Sequence, residues 1–141
     1  MDNIKYRDIE NQLMEFERYI LNKYIEVDRF NVYMDEGGYI YLSDLYIKVG
    51  YRGIGIGSSI LYELGAFADE LAVEVYCIPS SDDDSEYGDE RLINFYIGNG
   101  YEVVREHGQG VVRMCRRCCK KWTKIIFLIY GVIYMNRLRW I

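Results

Sequence analysis

Apolar residues in the first part of the chain recur at alternating four- and three-residue steps, at Ile9, Leu13, Phe16, Ile20 and Tyr24. That spacing lines them along one stripe and predicts an amphipathic helix over residues 3–24, with Asp2 placed to cap it and a sheet for it to lie on. The period then changes to two. Between Ile25 and Met34, the set Ile25, Val27, Arg29, Asn31 and Tyr33 alternates with Glu26, Asp28, Phe30, Val32 and Met34, which predicts a strand with one face turning from polar to apolar. Gly37-Gly38 marks a hairpin turn into a second strand beginning at Tyr39. Helical spacing returns with Ile60, Leu64, Phe67 and Leu71, flanked by Leu61 and Ala68, for a helix over about Gly57 to Glu70. Ala72 to Ile78 reads as a short strand, parallel to the one before because a helix crosses between them. A helix from Asp89 to Ile97 follows, with Leu92, Ile93 and Tyr96 on one side and a stop at Gly98-Asn99-Gly100. Tyr101 to Glu106 and Val111 to Arg117 then form a closing hairpin, which puts His107 at a turn on the surface.

The stretch from Leu42 to Ser58, LSDLYIKVGYRGIGIGS, organises the rest. A strand there runs into a turn holding Arg52, Gly53, Gly55 and Gly57, and a helix starts at once. Unpaired N–H groups at a helix N-terminus, backed by the positive end of its dipole, make an anion cradle. Glycines let the main chain turn sharply and approach the anion, and Arg52 adds charge. A nucleotide P-loop is excluded, because Gly57 is followed by Ser58 and Ser59 and not by Lys-Ser/Thr. The dinucleotide fingerprint fits poorly, since its third glycine would fall on Ser58 or Ile60.

Arg52-Gly53-Ile54-Gly55-Ile56-Gly57 matches the Arg/Gln-x-x-Gly-x-Gly/Ala loop of GNAT acetyltransferases at every fixed place. With Ile40-Tyr41-Leu42-Ser43-Asp44-Leu45-Tyr46-Ile47 before it and Ile93-Asn94-Phe95-Tyr96 followed by Gly100 beyond it, the chain resembles the diamine (spermidine/spermine) acetyltransferases of that superfamily over roughly residues 30–117. The resemblance implies an α/β (α+β) fold: a mixed, mostly antiparallel central sheet flanked by helices, with a parallel strand-helix-strand unit at the cofactor site. It implies transfer of an acetyl group from acetyl-CoA to a primary amine such as a polyamine. The main chain of Leu45, Tyr46 and Ile47 would position the thioester carbonyl. Arg52, Gly53, Ile54, Gly55, Ile56, Gly57 and Ser58 would hold the pyrophosphate, and Tyr96 would be the general acid for the departing thiolate. Ser43, Asp44 and Glu106 would face the acceptor.

The chain also departs from that family. An N-terminal strand of the family is missing, and the tail has no counterpart. The Glu-Asp pair of the cradle strand reads Ser43-Asp44 here, so the carboxylate implied as base is replaced by a hydroxyl that does not accept a proton unaided. Simple alternation puts Asp44 on the opposite face from Ser43, where it cannot take over. The rival reading is therefore a catalytically impaired relative that binds coenzyme A or acts as a decoy or interaction protein.

Length and charge narrow the field. The 141 residues suit a single domain over 1–117 with a basic and apolar tail over 118–141, and half of the chain is hydrophobic. A net charge of −5 argues against nucleic acid as a partner and favours a cationic small-molecule acceptor. No secretory leader is legible in MDNIKYRD, so the expectation is a cytoplasmic protein with reduced thiols at Cys77, Cys115, Cys118 and Cys119. With one histidine, Cys115-x-x-Cys118-Cys119 has no evident fourth ligand, and no metal is expected. Pro79 to Glu86, with Asp82-Asp83-Asp84 at its centre, reads as a solvated connector or, alternatively, a rim attracting cations. Ile125 to Met135 is apolar but shorter than the roughly 20 residues a bilayer span needs; docking on the domain or on a second copy, as a homodimer, is the preferred reading of the tail, with interfacial membrane contact as the alternative.

Overall fold

The computed structural model describes residues 3–80, 88–107 and 111–118. The order of elements is α1 (Asn3–Lys23), β1 (Val27–Met34), β2 (Ile40–Ile47), α2 (Ile56–Leu71), β3 (Val75–Cys77), α3 (Gly88–Gly98), β4 (Glu102–His107) and β5 (Val111–Arg116). The strands form one five-stranded sheet in the order β1-β2-β3-β5-β4. Among the described residues only β2 and β3 run parallel, and the other neighbours are antiparallel. The fold class expected from the sequence is the one observed. The Asp2 cap, the acidic run from Asp82, the hairpin loop after His107 and the tail beyond Cys118 lie outside the described residues.

The stripe on α1 does what its spacing predicts: Ile9, Leu13, Phe16 and Ile20 are all buried. Phe16 stacks on Phe67 of α2 with ring centroids 4.5 Å apart and meets Phe30 of β1 edge-on at 6.2 Å, so α1 and α2 share one face of the sheet. Phe30, Val32 and Met34 of β1 point to that face, as do Ile40 and Leu42 of β2, their partners being Val32↔Leu42 and Met34↔Ile40.

Two expected boundaries move for local reasons. Ala72 adopts a left-handed conformation (φ 56°) and closes α2, its N–H directed at the carbonyls of Ala68 and Asp69. Val73 N–H also returns to Ala68 O, at 3.0 Å, so the strand expected from Ala72 begins only at Val75. His107 closes β4 opposite Val111 and does not sit in the turn.

Candidate active site

The parallel pairing of β2 with β3 covers only Ile40↔Val75, Tyr41↔Tyr76 and Leu42↔Cys77. Beyond Leu42 the strands part. Along Ser43 to Ile47, β2 keeps β1 on one side and loses β3 on the other, so alternate main-chain groups on that edge are open to a ligand. The gap widens into a cleft of about 810 Å³ lined by Asp28, Leu45, Tyr46, Ile47, Val49, Arg52, Gly53, Gly57, Ser80, Arg91, Leu92, Phe95 and Tyr96. At its mouth the Tyr46 hydroxyl donates to Ser80 O at 3.2 Å.

One wall is the start of α2. Gly53 and Gly55 have φ of +80° and +91°, which L residues seldom adopt, and Gly55 is the N-cap. Ser59 N–H is bonded to Gly55 O at 3.0 Å as the first rung of the helix, and no side chain among the described residues caps it. The amides of Gly55, Ile56, Gly57 and Ser58 are thus the orphan donors that any helix start leaves over. Gly57 has a different job from the other two: a Cβ there would stand 3.0 Å from Phe95 Cζ of α3, so its lack of a side chain lets α3 close on the cradle. Arg52 lines the cleft while its Nε donates to Ile47 O at 2.8 Å, which ties the turn to the end of β2.

The other wall is α3. Tyr96 is buried, its ring meeting those of Phe95 and Tyr101 at 5.4 and 5.2 Å, and it reaches the cleft. Burial pushes its phenol well above the ordinary tyrosine range, reinforced by Cys77 and Tyr46, so it is a neutral hydrogen-bond donor at working pH.

Of the residues singled out from the sequence, Leu45, Tyr46, Ile47, Arg52, Gly53, Gly57 and Tyr96 come together around this cleft. Ile54, Gly55, Ile56 and Ser58 belong to the same turn and helix start without lining it by their side chains. Glu106 is opposite Val112 in β4, at the far edge of the sheet from β1, and its side chain lies outside the described residues. Asp28, Val49, Ser80, Arg91, Leu92 and Phe95 were not anticipated as lining residues; the helical stripe through Leu92 and Tyr96 was the available signal for α3, and nothing in the sequence marked Asp28.

Ser43 and Asp44 require a correction. Register shifts between Asn31 and Val32 because Asn31 faces Asp44 and Val32 faces Leu42, leaving Ser43 as an extra residue, a β-bulge. Leu42 and Leu45 therefore both join the buried face, opposite Val32 and Phe30, and the two residues between them both turn to the other face. Ser43 Oγ is 3.2 Å from Asn31 O and 3.5 Å from Asp44 Oδ2, a proximity that alternation on opposite faces would not give.

A second concavity, of about 380 Å³, lies at the other end of the parallel pair between Gly37 and Cys118. Its carboxylate, Glu74, is already bonded by Arg117 and by the Tyr76 hydroxyl. Among the described residues no cluster of His, Cys, Asp or Glu is arranged to hold a metal, and no helix is long and apolar enough to cross a membrane.

No protein-family model and no curated protein sequence matches the chain. Solved structures do. The anti-CRISPR protein AcrVA5 is similar with a TM-score of 0.50 at 21% identity, over 60% of this chain and 85% of that one. The PaiA N-acetyltransferase from Thermoplasma acidophilum, in complex with coenzyme A, gives 0.49 at 20% identity, over 62% of this chain and 51% of that one. Naa50 of Arabidopsis thaliana, in complex with a bisubstrate analogue, gives 0.46 at 21% identity, over 63% and 62%. The chain thus spans about half to three-fifths of the latter two. At such identities the likeness concerns the fold alone, a mixed sheet with one parallel pair.

Proposed function

We propose that this protein is an acetyl-CoA-dependent N-acetyltransferase acting on a primary amine, with a polyamine as the favoured acceptor. The observation that carries the reading is the meeting of a helix N-terminus with uncapped donors, an open strand edge and a neutral phenol around one cleft. In this reading the diphosphate of the donor rests on the amides from Gly55 to Ser58 beside Arg52, and the pantetheine arm runs along Leu45 to Ile47 as a surrogate for the missing β3. Tyr96 donates a hydrogen bond to the sulfur as the C–S bond breaks, which costs no reorganisation because the ring is already packed. Coenzyme A bound to the PaiA structure is consistent with that assignment. The acidic charge of the chain supports a cationic acceptor.

Ser43 in place of a carboxylate supports the second reading, a protein that binds coenzyme A without turnover. Purified protein mixed with acetyl-CoA and a panel of polyamines and amine-bearing peptides, followed by thiol release, separates the two. Turnover on at least one amine is expected. Tyr96→Phe should lower it about 10²-fold with coenzyme A affinity within twofold. Tight coenzyme A binding with no turnover on any amine removes the enzyme.

A further inference from the structure

Coenzyme A carries a diphosphate and, on the 3′ oxygen of its ribose, a further phosphate that bears close to two negative charges at neutral pH. The cradle at the start of α2 accounts for the diphosphate alone. Resting on the acetyltransferase reading, we infer that Arg91 of α3 seats the 3′-phosphate and makes the protein select coenzyme A over donors that lack it.

The order of side chains along α3 carries the argument. Tyr96 is buried beside Cys77 and Tyr46, where β3 leaves β2 after the pair Leu42↔Cys77. Phe95 packs against the cradle, since a Cβ on Gly57 would stand 3.0 Å from its ring. Arg91 lines the same cleft but is exposed. It lies four residues before Phe95, hence on the same helix face, and its side chain leans further toward the start of α3. The helical rise sets it about 6 Å along the wall from Phe95, on the side away from the buried Tyr96. The wall thus passes from a phenol at the thioester end, through an aromatic ring beside the diphosphate, to a guanidinium at the mouth. A donor with its sulfur at Tyr96 and its diphosphate on Gly55 to Ser58 meets that guanidinium one ribose later.

Arg52 holds a different station. Its Nε donates to Ile47 O at 2.8 Å, which fixes it at the end of β2 beside the cradle amides, so it belongs with the diphosphate. Arg91 stands within the first turn of α3, where the helix dipole favours acids over bases, so the stability of α3 does not require an arginine there. An arginine fork meets the oxygens of a phosphate two at a time, whereas a lysine offers a point charge. Among the described lining residues the other charged side chain is Asp28 of β1, whose Oδ2 is 4.0 Å from Arg29 Nε.

The test is calorimetric titration of coenzyme A and of dephospho-coenzyme A, which lacks only the 3′-phosphate, into wild type, Arg91→Gln, Arg91→Lys and Arg52→Gln. Wild type should bind coenzyme A about 10- to 100-fold more tightly than the dephospho form, the range for charge-assisted hydrogen bonds to one group. Arg91→Gln should weaken coenzyme A far more than the dephospho form and bring the two affinities within about threefold. Arg91→Lys should keep part of the preference. Arg52→Gln should weaken both ligands alike and leave their ratio near that of wild type. A wild type that binds both ligands equally overturns this role and leaves the acetyltransferase reading standing. So does an Arg91→Gln variant that melts like wild type yet keeps the wild-type ratio or weakens both ligands in parallel. A wild type that binds neither ligand overturns both.

Discussion

Gly55→Ala isolates the cradle from the chemistry. Gly55 has φ +91° and nothing within 4 Å of where a Cβ would be, so the substitution meets no clash and feels only backbone strain. Holding an L residue in a left-handed conformation costs about 1–2 kcal/mol. The chain has two ways to respond. If the turn keeps its shape, that energy is lost from folding, and for a domain of this size the melting temperature falls by about 3–8 °C. If the turn relaxes, the amides of Ile56 to Ser58 no longer converge, and the loss moves to ligand affinity, up to about 30-fold for 2 kcal/mol. Gly55→Asn should cost less than alanine on either count, because asparagine tolerates this conformation. Gly50→Ala is the control: it too has nothing within 4 Å, has no positive φ, and should be neutral or slightly stabilising. Thermal melts and calorimetric titration with coenzyme A on the three variants give both readouts. If Gly55→Ala melts and binds like Gly50→Ala, the left-handed turn is not under the constraint described and the cradle argument fails.

Tyr101 has a buried hydroxyl with no hydrogen-bond partner among the described residues, so Tyr101→Phe should stabilise the fold by about 1 kcal/mol in a denaturant titration; a less stable variant would mean that the hydroxyl is satisfied after all. Burial raises the Cys77 thiol to about 12 and pushes the phenols of Tyr96 and Tyr101 above their usual range. Unfolded, these groups release protons near their ordinary values of about 8.5 and 10, whereas the folded chain retains them. Stability is therefore full below pH about 8.5 and falls as pH rises, at up to about 1.4 kcal/mol per pH unit for each group once the unfolded form ionises. Melting temperatures that are flat from pH 8 to 11 would contradict that burial.

The elements visible in the sequence were those fixed by local periodicity. The α1 stripe, the α2 stripe and the alternating glycines after Arg52 each state their conformation within a few residues, and the structure places them accordingly. What escaped depends on partners far away in sequence. The bulge at Ser43 exists because β1 pairs out of step with β2, with Val32 claiming Leu42 and Phe30 claiming Leu45, and no reading of LSDL by itself reveals it. The same holds for Asp28, the extra residue between Val27 and Arg29, which reaches the cleft because β1 shifts register there too. Ala72 looked like the start of a strand by composition, but the end of α2 claimed it as a cap. Gly57 read as another phosphate-loop glycine, whereas its contact with Phe95 gives it a packing role that only the placement of α3 discloses.

We propose that the parted edge of β2 and the start of α2 form a single coenzyme A site. Titrating coenzyme A into isotopically labelled protein and following each backbone amide by NMR addresses it directly. The largest changes should fall on Leu45 to Ile47 and Gly53 to Ser58, saturating together with one affinity. Changes concentrated instead around Gly37, Gly38 and Glu74 at the opposite end of the sheet, or none at millimolar ligand, would contradict it.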